Sequence, residues 1–472
     1  MKWMLLGPEI TYLAATFFFL ILSMGTTPNP KRDRAAALIA AVLGMIVCLA
    51  AANAEGWLFA KAYRVDLFSQ VFKVMLSLGL FLIVCICGNL DDMEEHGRSD
   101  FYVLLFACTL ALMLLAGSNH LLAVYVSLEL SSYSLYIMVT LRKDRDMGLE
   151  AGIKYFLAGI FASAIMLFGL ALVYATTRAT YLNEMALVLP EIIDRPAVIL
   201  GVVLTLSGFL FKLAVFPFHF WAPDVYQGAM SQVTAYIATA SKVAAIAVLI
   251  RVVAATAPGS DYLVFLLLVL SIMSMTIGNL AAIAQKDMKR MLGYSTIAHA
   301  GYVLIGILSM NPAGYAGAVF YAMALLLMKF TVFLVIVEAA SDGRNLQIEQ
   351  LAGLHQRSPI LALALMVSLF SLAGIPPTIG FTGKFLVFIA AMEKGHLALV
   401  VIAMINVTIS LYYYLLVIRA AYLLEPEGAM EDLTTSPSVK WLAGALIAAM
   451  LAGGFFPYPL LELSRAAARA LM

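Results

Sequence analysis

The sequence predicts an all-α, polytopic membrane protein of about 14 transmembrane helices, and three observations carry that prediction. Of its 472 residues, 63% are hydrophobic and only 12% are charged, whereas roughly a quarter of a soluble domain is charged. The apolar residues gather into runs of about 18 to 25, the length a helix needs to cross a hydrocarbon layer of roughly 30 Å. These runs lack the polar–apolar alternation of a membrane β-strand. A net charge of +1 leaves no electrostatic footprint for nucleic acid or another polyanion.

Taken in order, the runs place spans at 8–26, 35–54, 67–88, 101–117, 119–141, 152–175, 197–221, 231–254, 262–284, 293–310, 312–340, 359–392, 396–424 and 438–457. Lys2 precedes the first run, but Gly7, Pro8 and Glu9 separate the charge from it and no small-x-small cleavage site follows. The first run is therefore read as a retained span rather than a signal peptide. Span 7 carries Pro217, with Pro223 just beyond it, and span 12 carries Pro376 and Pro377. Proline removes a helix hydrogen bond and clashes with the preceding turn, so helices 7 and 12 are expected to be discontinuous. In lipid such a break survives only inside a bundle or beside a water-filled cavity. The longest polar connections, 89–100 and 177–195, are too short for an inserted soluble domain.

Two stretches look alike. YSLYIMVTL at 133–141 is matched by AGYVLIGIL at 300–308. Each is followed by a span with one lysine, Lys154 or Lys329, and then by a proline-broken helix with a lysine, FKLAVFPF at 211–218 or LAGIPPTIGFTGKF at 372–385. The period is five spans. An odd number of spans reverses topology, so the expectation is two inverted five-helix repeats. The units are then 1–100, a three-helix segment; 101–254, the first repeat; 262–424, the second; and 425–472, the last helix. With the N-terminus outside, inner loops hold fourteen Lys and Arg against nine outside. That bias puts both termini outside.

Cys48, Cys85, Cys87 and Cys108 all lie in apolar runs, without zinc or iron–sulfur spacing, and read as small packing residues. No dinucleotide fingerprint, phosphate loop or haem-ligand pattern is present, so any redox chemistry belongs to another subunit. Tyr412 to Tyr414 read as packing or an interfacial belt.

Ionisable residues inside spans are costly, and they mark ion or proton pathways. Glu129 lies mid-span and needs a cation; Lys212 is the expected partner. Lys242 lies nearly a third of the way into span 8, too deep to reach the interface easily. Lys384 follows the Pro376–Pro377 break, and Lys154 begins span 6. His219 follows Lys212 by seven residues, two turns of an intact helix, and an imidazole titrates where a proton relay would use it. His299 is the other intramembrane histidine. Each also has a plainer reading as a satisfied structural polar group. Lys73, near a span end, reads as structural, and Lys329 receives no assigned role.

FKLAVFPFHFWAPDVYQGA, QKDMKRMLGYSTIAHAGYVLIGI and LAGIPPTIGFTGKF resemble the antiporter-like subunits of respiratory complex I, relatives of the multisubunit Na+/H+ antiporters. The resemblance runs from about span four to span thirteen. The lysine of GFTGKF resembles the N-type subunits of NADH:quinone oxidoreductase, since M-type subunits typically carry glutamate there. L-type subunits continue into a long lateral helix that does not follow span fourteen here. The resemblance implies that Glu129 pairs with Lys212, that Lys242 is a central relay, that Lys384 exchanges protons with the far side, and that Lys154 and His219 lie near the same polar axis. It implies no cofactor in this chain, with NADH, FMN, iron–sulfur clusters and quinone in partner subunits. The implied partners are an M-type antiporter-like subunit and the small K, J, A and H-type subunits, in a bacterial inner membrane with both termini periplasmic. The expected function is proton translocation along the buried Glu, Lys and His side chains, driven by quinone reduction elsewhere. The rivals are an Mrp-type cation/proton antiporter subunit and a non-pumping structural module.

Overall fold

A computed structural model describes residues 2–25, 29–88, 90, 92, 93, 97–256, 260–340, 342–425, 433 and 435–471. Much of the expected 89–100 connection, and most of the stretch between Glu425 and Thr435, lies outside the described residues. Among the described residues, thirteen helices are long and apolar enough to cross a membrane. They are Met4–Ser23, Pro30–Ala50, Leu67–Ile86, Gly97–Gly117, Leu121–Thr140, Asp146–Thr177, Pro196–Leu213, Ser231–Ala255, Asp261–Ile283, Met288–Leu308, Pro312–Ala339, Leu397–Leu423 and Pro437–Phe455. The remaining span is split into two short helices, Pro359–Ala373 and Ile379–Glu393. It takes the twelfth place, so the fourteen spans stand in the expected order and are numbered in that order below.

The helix starts have a local cause. Asn29, Asp66, Asp144, Ser260, Asp287, Asn311 and Ser436 each cap a span by accepting a backbone N–H with the side chain. Pro30, Pro312 and Pro437 occupy the first helical position, where a missing N–H costs nothing.

Both expected breaks are present. Span 7 stops at Leu213, and Ala214 turns into the left-handed region. Residues 214–220 form an irregular turn before a short helix Trp221–Gly228. Pro223 therefore interrupts nothing: it lies in the first turn of that helix, where proline is tolerated. Span 12 stops at Ala373, Gly374 takes φ +87°, and the helix resumes at Ile379 after Pro376 and Pro377. Span 8 contains a π-helical stretch, Ile237–Ser241, immediately before Lys242.

Spans 8, 10 and 11 are buried over nearly their whole length, whereas spans 1, 2, 13 and 14 expose most of theirs. Phe17, Ile21, Ile39 and Trp441 are exposed on those outer helices, as a lipid-facing surface requires. The charged spans 8, 10 and 11 thus form the centre of the bundle.

Three features were not read from the sequence. A two-stranded hairpin pairs Gly56–Leu58 with Tyr63–Val65. A helix, Leu182–Ile192, fills part of the expected 177–195 loop. A last helix, Tyr458–Leu471, is amphipathic and packs on spans 3 and 11. Arg64 of the hairpin donates to its terminal carbonyls at Ala470, 2.8 Å, and Leu471, 3.4 Å. Three basic residues counted as loop charges are in fact buried: Arg142, Arg251 and Lys289.

Candidate functional site: a buried line of lysines

The break in span 7 positions the first two lysines. Lys212 occupies the last turn before the break and is buried. Its Nζ donates to Ser131 Oγ at 2.7 Å and Ser132 Oγ at 3.3 Å, both on span 5. Glu129, one turn away on span 5, accepts instead from Ser163 Oγ of span 6. The expected partners Glu129 and Lys212 interact electrostatically, but no direct salt bridge joins them among the described residues, and serines stand around each charge. A helix break exposes carbonyls that no longer have intrahelical partners. Lys242 Nζ fills one of these vacancies, donating to the Lys212 carbonyl at 2.7 Å. The negative end of the helix dipole favours a cation there. The face of Trp221 covers the same ammonium at 4.6 Å, and Trp221 is held by a bond from its Nε1 to the Phe211 carbonyl.

The break in span 12 repeats the arrangement. Lys384 Nζ donates to the carbonyls of Leu372, 2.8 Å, and Ala373, 3.0 Å, at the end of the first half-helix. Tyr302 covers it at 4.7 Å. Gly374 is required beside it, because its φ of +87° suits glycine and an added Cβ would come within 3.0 Å of Lys384 Cδ.

Between these two ends lies a polar cluster on spans 10, 11 and 13. Lys329 Nζ donates to Ser295 Oγ at 2.7 Å and to the Leu292 carbonyl at 3.3 Å. Ser295 Oγ and Tyr414 Oη are 2.6 Å apart. His299 joins Tyr414 through Nε2 at 3.1 Å and Tyr321 through Nδ1 at 2.6 Å. A cavity of about 20 Å³ separates this cluster from the span 7 end; Lys242, Thr239, Thr296, His299 and Lys329 are among its walls. That volume holds one water molecule. Hydroxyls, imidazole and water can each both donate and accept, so the cluster can pass a proton between ammonium groups.

The structure thus brings Lys212, Lys242, His299 and Lys384 into one buried line with Glu129 beside its first member. It also supplies Lys329, Ser295, Tyr321 and Tyr414, which the sequence did not assign. Tyr413 and Tyr414 are buried, unlike their neighbour Tyr412, which is 55% exposed; the run is not a uniform belt. Lys154 lies off the line. It is half-exposed and paired with Glu150 at 2.7 Å and Asp224 at 2.8 Å, while Asp224 also meets Arg290 at 2.5 Å. His219 lies in the irregular turn between Phe216 and Phe220, and its Nδ1 has no hydrogen-bond partner among the described residues. The two-turn spacing to Lys212 does not apply, because the helix between them has ended.

Outside the spans, two carboxylates anchor loops. Burial by itself raises the carboxyl of Asp66, but Arg251, the Ser69 N–H and Arg64 outweigh it and hold the group below the usual range. Burial raises Asp92 above its usual range against the pull of Arg142.

A profile of the NADH:quinone oxidoreductase/Mrp antiporter membrane region matches residues 118–410. The chain belongs to this family. It is 66% identical over 472 residues to NADH-quinone oxidoreductase subunit N 2 of Syntrophobacter fumaroxidans, covering all of both chains. It is 40% identical to the subunit N 2 of Opitutus terrae, covering 95% of this chain and 94% of that one. Among solved structures, a chain of respiratory complex I from Thermus thermophilus superposes with a TM-score of 0.85 at 34% identity, over 96% of this chain and 98% of that chain. A chain of the Mrp complex from Dietzia sp. DQ12-45-1b gives 0.87 at 21% identity, over 99% and 97%. The Mrp likeness is one of fold. The matched region covers the broken helices, Glu129, Lys212, Lys242, His299, Lys329 and Lys384.

Proposed function

We propose that this family member is the proton-translocating N-type subunit of a complex I-type NADH:quinone oxidoreductase. Protons move along Glu129, Lys212, Lys242, His299 and Lys384, with Lys329, Ser295 and Tyr414 completing the line. The carrying observation is the way the lysines are held. Lys212, Lys242, Lys329 and Lys384 donate to hydroxyls and carbonyls rather than to carboxylates, so each can lose a proton without breaking a direct buried ion pair. Lys154, in its cluster with Asp224, and His219, in the turn of span 7, belong on this reading to a route between the surface and the line. Spans 4–8 and 9–13 act as inverted units, each with a broken helix that supplies carbonyls to an ammonium.

Quinone reduction elsewhere in the complex drives the transfer. NADH, FMN, iron–sulfur clusters and quinone are then bound by partner subunits, and this chain sits in the bacterial inner membrane against M-type and K, J, A and H-type subunits, with both termini periplasmic. The test replaces Lys212 by Met and Glu129 by Gln in the assembled complex in vesicles. Most proton pumping per quinone reduced is expected to be lost. A wild-type ratio in both variants refutes the role. Sodium-coupled proton exchange without any electron donor would instead support an antiporter subunit.

A further inference from the structure

Span 3 carries a second set of buried polar groups, apart from the lysine line. Asp66, Gln70, Lys73 and Ser77 recur at intervals of four, three and four residues, which places them on one helix face. All four are buried, Gln70, Lys73 and Ser77 completely. The stripe runs inward from the hairpin for eleven residues, about 16 Å at the helical rise. Each rung has a partner from another element. Asp66 is gripped by Arg251 at 2.9 and 3.1 Å and by Arg64 at 3.0 Å. Gln70 donates to the Ala54 carbonyl. Lys73 Nζ meets Glu9 of span 1 at 2.6 Å, and Tyr63 of the hairpin donates to the same Glu9 oxygen at 2.5 Å. Ser77 accepts from Tyr12 at 2.8 Å, and Cys48 of span 2 faces it.

Two features separate this stripe from an ordinary packing motif. Glu9 Oε2, Gln70 Oε1 and Lys73 Nζ are buried and have no hydrogen-bond partner among the described residues, Lys73 and Glu9 meeting as an ion pair. Buried acceptors of this kind are normally satisfied, by ordered water where protein is lacking. Beyond the inner end of the stripe, span 3 packs on the helix that carries Lys242. Gly79 lies against the π-helical stretch of span 8, where an added Cβ would stand 3.1 Å from Ala240 Cβ, two residues before Lys242. Tyr12 packs on Phe106 of span 4. One turn further along span 4, Cys108 donates to the Ser131 carbonyl and Thr109 bonds Tyr236; Ser131 is the serine that holds Lys212.

We propose that this stripe is a hydrated half-channel joining the hairpin side of the membrane to the Lys212–Lys242 end of the line, with Glu9 and Lys73 as its proton-exchange site. A proton crosses from the Lys73 ammonium to the Glu9 carboxylate, giving a neutral amine and a neutral acid with no change in net charge. The acid releases its proton toward the hairpin through Tyr63 and water. The amine takes the next proton from the Ser77 side. Asp66 and Arg251, fixed to each other, form the charged rim.

The inference rests on the proton-translocating reading above, and the experiment separates the two. Glu9→Gln, Glu9→Asp, Lys73→Met and Lys212→Met are made in the full complex, and protons pumped per quinone reduced are measured in vesicles. Glu9→Gln and Lys73→Met are expected to lose part of the pumping while the complex stays assembled, and Glu9→Asp to restore it. A packing role would alter assembly and leave the ratio of the assembled complex unchanged. Loss in Lys212→Met with a wild-type ratio in Glu9→Gln overturns the half-channel alone; a wild-type ratio in both overturns the parent reading. If the Glu9 and Lys73 variants do not assemble, Gln70→Leu and Ser77→Val, which keep the ion pair, decide: a wild-type ratio in both overturns the half-channel, and a lowered one sustains it.

Discussion

Replacing Lys242 by Met tests the line where the structure makes the outcome easiest to interpret. The ammonium gives up one charge-assisted hydrogen bond to the Lys212 carbonyl, about 1.5–3 kcal/mol, and a desolvated contact with Trp221, about 2 kcal/mol. Against this, the protein no longer buries an ion, whose effective penalty is several kcal/mol. The methionine side chain fills the volume of the lysine stem, so no large cavity opens. These terms oppose one another and are of similar size, so the variant should assemble with nearly wild-type abundance on a native gel. Pumping per quinone reduced should fall sharply, because the group beside the water-sized cavity can no longer carry a proton. A wild-type pumping ratio in the assembled variant would refute the relay. Failure to assemble would refute the energy balance, and with it the idea that Lys242 is held only by neutral groups.

Four further outcomes are expected. Tyr414→Phe removes the hydroxyl that joins Ser295 to His299 at a cost of about 1 kcal/mol, and should lower pumping with little change in thermal stability. Gly374→Ala imposes a left-handed conformation on alanine, about 1–2 kcal/mol, and crowds Lys384, so it should reduce both the melting temperature and the pumping ratio. Asp66→Asn leaves Arg251 without its buried partner and should destabilise the purified complex by about 3–5 kcal/mol in thermal unfolding. The same carboxyl sets a pH dependence: it is held below the ordinary value near about 4, so its stabilisation is complete above that pH and is lost as pH falls through the lowered value. Melting curves of wild type and Asp66→Asn should therefore converge on acidification.

The sequence displayed the spans and the two breaks because both signals are local. Apolar runs of membrane length and prolines within them need no tertiary knowledge, and a lysine inside such a run stands out by chemistry alone. It did not display which charges meet. Glu129 and Lys212 looked like a pair because each lacked another charged candidate, yet Ser163, Ser131 and Ser132 serve them, and serine is too common in spans to be noticed. Lys329 had no visible role because its acceptors, Ser295 Oγ and the Leu292 carbonyl, lie 34 and 37 residues away in the chain. The sequence did not display how deep two other lysines lie: Lys154 is half-exposed and Lys73 is fully buried. Span 6 is apolar on every side, so periodicity could not show that Lys154 faces outward. Glu9 was given no role, and the hairpin whose Tyr63 bonds it was not anticipated.

The two breaks share one physical logic. A continuous helix uses its carbonyls internally, so a lysine packed against it meets no acceptor. A helix that stops mid-membrane presents several carbonyls and the negative end of its dipole at once, which is enough to accommodate an ammonium without a counter-ion. Lys242 and Lys384 both take this place, each under an aromatic face. Such a cradle tolerates the cation but does not depend on it, since helix-end carbonyls can be satisfied by water when the amine is neutral. The Arg251–Asp66 pair is the contrast within the same molecule: there each charge needs the other, and neither can change state cheaply. At the hairpin, the Arg251–Asp66 pair holds the fold; at the ends of broken spans 7 and 12, an ammonium can lose its proton without leaving a carboxylate behind.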